Sequence, residues 1–117
     1  MSAPYGRYPN RCHKFIPYNG KIADITHADT NQHTLDLAAA LVETRKIIAV
    51  LCGADRMAGT GAMLIYPNEG ATSSTWMTSR MNPPLTVIKN GTQELQYSLT
   101  VANDDWDMYC FGYVVEA

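Results

Sequence analysis

The segment TQELQYSLTVA, residues 92–102, sets Leu95, Tyr97, Leu99 and Val101 against Glu94, Gln96, Ser98 and Thr100 in strict alternation. A period of two belongs to an extended strand, because a helix of 3.6 residues per turn would scatter the same apolar groups around its whole circumference. The strand has one dry side and one wet or interfacial side, and the dry side needs a second layer of structure to cover it. The chain is thereby committed to a layered β architecture.

Neighbouring segments extend that reading. Beyond the turn ANDD, the run WDMYCFGYVVEA alternates Tyr109, Phe111, Tyr113 and Val115 with Met108, Cys110, Gly112 and Val114, so both of its faces are apolar. That suits a central strand, or one covered by another subunit. Before residue 92, Asn90-Gly91 separates LTVIK from the alternating segment, and Asn-Gly is the strongest short-range hairpin signal. Strand patterns fall near 13–17, 21–26, 33–38, 45–54, 61–66, 75–80, 85–89, 93–102 and 107–115, with turn signals every 8 to 12 residues or so. The expectation is an all-β protein: a jelly-roll-like antiparallel β-sandwich of about eight strands.

One stretch competes with it. Thr34 to Val50 contains LAAALVETRK, whose Ala, Leu, Glu, Arg and Lys are good helix formers, so partial helix is the alternative there. The first 20 residues, rich in Pro, Tyr, Gly, Asn and Arg, have neither period and read as an extended N-terminal arm with a turn at Asn19-Gly20. The division is an arm over 1–20 and a single sandwich domain over 21–117. With 117 residues the chain is long enough to bury a core without metal or disulfide.

Composition removes several function classes. The net charge is −2, and nine Lys and Arg are scattered from Arg7 to Lys89, so no basic stripe exists to neutralise a row of phosphates and nucleic acid is not an expected partner. No run of about 18 apolar residues occurs and the N-terminus lacks an apolar signal segment, so no membrane association or export is expected. Cys12, Cys52 and Cys110 are odd in number and unevenly spaced, which fits neither a disulfide framework nor a zinc pattern.

The glycine-rich loop in IIAVLCGADRMAGTGAML invites a phosphate. It lacks the Lys and hydroxyl of a P-loop and the third glycine of a dinucleotide turn, and Ile65-Tyr66-Pro67 cannot open a long helix whose N-terminus would hold the anion. It reads as a hairpin end, with Asp55, Arg56 and Met57 at the rim of the sandwich. His27 and His33 with Asp24 and Asp29 are acceptable ligand types at no established metal spacing. Asp104, Asp105 and Asp107 lack the Gly and bidentate Glu of a calcium loop and fit a capped turn. No nucleophile elbow or Cys–His pair can be given roles, so no catalytic residue, cofactor or metal is assigned. The aromatic and Arg side chains that anchor interfaces are the remaining candidates: Tyr5, Tyr8, Phe15, Tyr18, Arg56, Trp76, Trp106 and Tyr109.

The stretches HTLDLAAALVETRKIIAVLCG, YPNEG and VIKNGTQELQYSLTVANDDWDMYCFGYVVEA, over residues 33 to 117, resemble in their order small jelly-roll β-sandwich proteins of tailed bacteriophage particles. That resemblance implies a non-enzymatic virion protein, made in the host cytoplasm, which decorates a capsid or forms part of a head fibre or spike. It implies assembly with copies of itself, commonly as a homotrimer, and binding to a capsid or tail protein. The alternative is a carbohydrate- or receptor-binding sandwich, with Trp76, Trp106, Tyr109 or Arg80 against a glycan.

Overall fold

The computed structural model describes residues 13–66, 75–78, 85–87 and 93–116. Its strands are β1 (His13–Ile25), β2 (His33–Asp36), β3 (Ile47–Ala58), β4 (Met63–Tyr66), β5 (Thr75–Met77), β6 (Leu85–Val87), β7 (Glu94–Leu99) and β8 (Asp105–Glu116), with a single helical turn, α1 (Leu37–Leu41). They form two four-stranded antiparallel sheets, ordered β1-β8-β3-β6 and β2-β7-β4-β5. The molecule is an all-β sandwich.

The ladders follow a rule. β1 pairs with β8 and β3 with β6 in the first sheet, while β2 pairs with β7 and β4 with β5 in the second. Apart from the step from β4 to β5, every step to the next strand therefore crosses from one layer to the other. This corrects two expectations. LTVIK and the alternating segment do not form a hairpin about Asn90-Gly91, because β6 and β7 lie in different sheets. The glycine loop likewise joins β3 of one sheet to β4 of the other and is a corner between layers. A turn dipeptide specifies that the chain reverses; whether the two strands then pair or face each other is decided by which apolar rows must be buried together.

Strands expected at 13–17 and 21–26 are one strand, with register shifts between Pro17 and Gly20 and between Lys21 and Ala23. The first of these lies at Pro17, which has no N–H to donate, on an edge strand. Residues 13–20, read as the end of the arm, are thus paired with β8, and the rest of the arm lies outside the described residues. A helix over 34–50 does not form. Asp36 caps α1 by accepting the Ala39 N–H at 3.2 Å, and the helix stops at Val42, which takes the left-handed conformation at φ 51°. Beyond it, the β-branched Ile47, Ile48 and Val50 join β3.

The core lies between the sheets. Leu95 and Leu99 of β7 and Met63 and Ile65 of β4 meet Val50, Cys52, Trp106 and Met108 of the first sheet, all at most 2% exposed. Each such side chain contributes about 1.5–3 kcal/mol by burial. The polar side of β7, expected to be wet or interfacial, is covered: Gln96 is 2% and Ser98 4% exposed. β7 is central in its sheet, so Thr34 from β2 donates its hydroxyl to Gln96 Oε1 at 2.8 Å, and Tyr66 from β4 meets Ser98 Oγ at 2.9 Å.

Candidate functional site

Three connections meet at one end of the sandwich. The Asn103 N–H donates to the His27 carbonyl at 2.7 Å, tying the β7–β8 turn to the β1–β2 loop. The Gly61 N–H donates to Asp104 Oδ2 at 2.7 Å, and the Ala62 N–H to Thr100 Oγ1 at 2.8 Å, tying the same turn to the glycine corner. Gly59, at φ 109°, gives the carboxylate room: a Cβ there would lie 1.9 Å from Asp104 Oδ1. The glycine loop therefore does hold an anion, the carboxylate of its own Asp104. Arg56 closes the corner by donating from Nη1 to the Gly61 carbonyl at 2.7 Å.

At this end the rings of His27 and His33 stack in parallel, with centroids 3.5 Å apart and planes 6° from coplanar. His27 Nε2 lies 2.8 Å from the hydroxyl of Tyr97, and His33 Nε2 lies 2.7 Å from Asp29 Oδ1. Burial first, and then the His33 charge, lower the pKa of His27 below its ordinary value. The hydrogen bond from His33, followed by the Asn31 N–H, lowers that of Asp29. The two Nε2 atoms serve different partners and do not converge. Among the described residues no three His, Cys, Asp or Glu side chains form a group able to hold a metal ion.

The outer face of the first sheet carries two kinds of surface. Asp24, Asp107 and Asp55 stand in register across β1, β8 and β3. Lys21 bonds Asp24 at 2.8 Å and reaches Asp107 at 3.8 Å. The lysine holds the Asp24 carboxyl below its usual range, whereas the neighbouring Asp24 raises that of Asp107. Toward the other end of the same face lie Pro17, Leu51 and the Phe15–Val114 pair, with Phe15 49% exposed and its ring over Gly112. A Cβ on Gly112, at φ 154°, would fall 2.2 Å from that ring.

The interface candidates separate accordingly. Phe15 is exposed and Tyr109 half-buried on the first sheet, Arg56 is exposed at the glycine corner, and Trp76 is 67% exposed on β5 of the second sheet. Tyr18 packs on the core and tilts against Tyr113 at 6.4 Å. Trp106 is fully buried in the core, with its indole N–H unpartnered, and presents nothing to a partner or a glycan. Tyr5, Tyr8 and Arg80 lie outside the described residues. The sequence reading missed the Asp24–Asp107–Asp55 row and the role of Asp104. The first is invisible until the registers of three strands are known, and the second was hinted at by Gly-Thr-Gly.

Cys52 and Cys110 are register partners on β3 and β8, both buried free thiols, and burial pushes the pKa of each upward. They are poor nucleophiles in this setting. Comparison of the chain with protein-family models, curated proteins and solved structures gives no match.

Proposed function

We propose that this chain is a structural protein of a virus particle of the tailed-bacteriophage kind, which assembles with copies of itself as a trimer and binds a capsid or tail protein without turning over a substrate. The fold is in this reading a jelly roll: pairing first with last, second with seventh, third with sixth and fourth with fifth is what a long hairpin gives when it is rolled so that its ladders fall alternately in two layers. The observation that carries the binding half is the outer face of the first sheet. Phe15, Pro17, Leu51 and Val114 make an apolar area on three adjacent strands, and a contiguous apolar area of this kind marks a contact surface. The aspartate row beside it favours Lys or Arg opposite.

Light scattering tests the assembly. The expected result is a mass three times 12.9 kDa, falling to the monomer in Phe15→Glu with the far-ultraviolet circular dichroism unchanged. A wild-type chain that stays monomeric throughout the micromolar range contradicts the proposal.

A second reading, a glycan-binding sandwich, is favoured by Trp76 alone. Its exposed ring neighbours Leu64 on β4, and an exposed aromatic face suits stacking against a pyranose. A glycan array on which wild type binds and Trp76→Ala does not is the expected result of this reading; no binding by wild type removes it.

A further inference from the structure

We propose that the His27–His33 stack is an acid-operated latch, which keeps the loop end of the sandwich closed while the two rings share at most one proton and releases it when both are charged. The geometry sets this up. Two parallel imidazoles with centroids 3.5 Å apart leave no room for water between them, so two positive charges there repel each other at close range.

The groups facing the pair treat the two rings unequally. Asp29, in the same loop, sits at hydrogen-bond distance from His33 and compensates a charge on that ring. His27 instead faces the neutral hydroxyl of Tyr97 on β7, whose own ionisation is disfavoured by burial. From the β7–β8 turn the contact with His27 is a backbone one, the Asn103 N–H on its carbonyl. The charges acting on His27 are those of His33, which opposes its protonation, and of Asp29, which favours it and acts less strongly than His33.

Linkage gives the direction. His27 in the closed state has a pKa below its ordinary value of about 6.5, so an opened state, in which the ring is solvated and apart from His33, binds the proton more readily. The closed state is held above that ordinary value and loses ground as pH falls through it. Separation of the rings moves His27, and its carbonyl carries the anchor of the turn that seats Asp104 on Gly61. Acid release at the histidines is thereby transmitted to the glycine corner.

The test is nuclear magnetic resonance of the whole chain between pH 7.5 and 5.0, following both imidazoles together with the hydrogen-exchange protection factors of Asn103 and Leu99. The latch gives mutually dependent titrations of His27 and His33, and a loss of Asn103 protection along the His27 curve, with Leu99 unchanged. In His33→Phe, which keeps a ring in the stack without a second charge, the fall is smaller, because burial of His27 remains while the opposing charge is gone. Independent single-site titrations, a constant Asn103 protection factor, an undiminished fall in His33→Phe, or a parallel fall at Leu99 would each overturn the proposal. If the variant does not fold, the wild-type titration decides by itself.

Discussion

The backbone N–H of Gly61 donates to the carboxylate of Asp104 at 2.7 Å across 43 positions of sequence, in a site where Asp104 is only 4% exposed. This bond joins the corner between the sheets to the turn that opens β8. A buried hydrogen bond to a charged acceptor contributes about 1.5–3 kcal/mol, so Asp104→Ala is expected to destabilise by about that amount in urea unfolding. Gly59→Ala is expected to cost a similar amount, since its Cβ meets the same carboxylate. The two changes together should cost less than the sum of the singles, because removing the carboxylate removes the clash. Additivity would show that Gly59 and Asp104 act independently.

Val42 is 89% exposed and left-handed at φ 51°, a conformation that is strained for a β-branched residue. Replacement by Gly or Asn relieves that strain without loss of packing, and the expected outcome is a gain of about 0.5–1 kcal/mol in unfolding free energy. A loss of stability in both variants would contradict the assigned conformation.

At the opposite end of the sandwich, Arg45 bonds Glu43 through its side chain and its backbone N–H, and Tyr113 donates its hydroxyl to the same carboxylate. These contacts, with the Arg45 side chain foremost, hold the Glu43 pKa at about 2 instead of 4.5. The unfolded chain binds this proton first as the solution is acidified. The contribution of Glu43 is therefore complete above pH 4.5 and is lost as pH falls toward 2. Acid unfolding curves should be flatter across that window in Glu43→Gln. Tyr113 behaves oppositely: burial, then Glu43, push it up to about 12, so its contribution is lost as pH rises from about 10 toward 12.

Cys52 and Cys110 offer a probe of opening. In a Cys12→Ser background, thiol reagents at pH 8 should leave both unmodified on the time scale of their reaction with unfolded chain, because the thiols are buried and held protonated. Rapid modification of the folded protein would contradict the packing of β3 against β8.

The strands were legible because their signal is local. Alternation along Glu94–Leu99 and the apolar run of β8 are properties of single segments, whereas the good helix formers of LAAALVETRK left open how far a helix would run, and the stop at Val42 appears only in the structure. The crossing between layers was not legible, because Asn90-Gly91 and the glycine loop specify a reversal and say nothing about which strand lies alongside. Gln96 and Ser98 were expected on a wet face for the same reason: their cover comes from Thr34 and Tyr66, partners set by registers between distant strands. Of the candidate site, exposed Phe15 and Trp76 could be picked out by residue type. Trp106 could not be distinguished from them, since burial depends on which face of β8 turns inward.

The proposed contact surface is the outer face of the first sheet. Hydroxyl-radical footprinting at rising protein concentration tests it most directly, reading oxidation at Phe15 and Tyr109 on that face and at Trp76 on the other sheet. Phe15 and Tyr109 are expected to become protected as protein concentration rises, while Trp76 stays reactive. Protection of Trp76 with Phe15 still reactive, or no concentration dependence at any of the three, would contradict it.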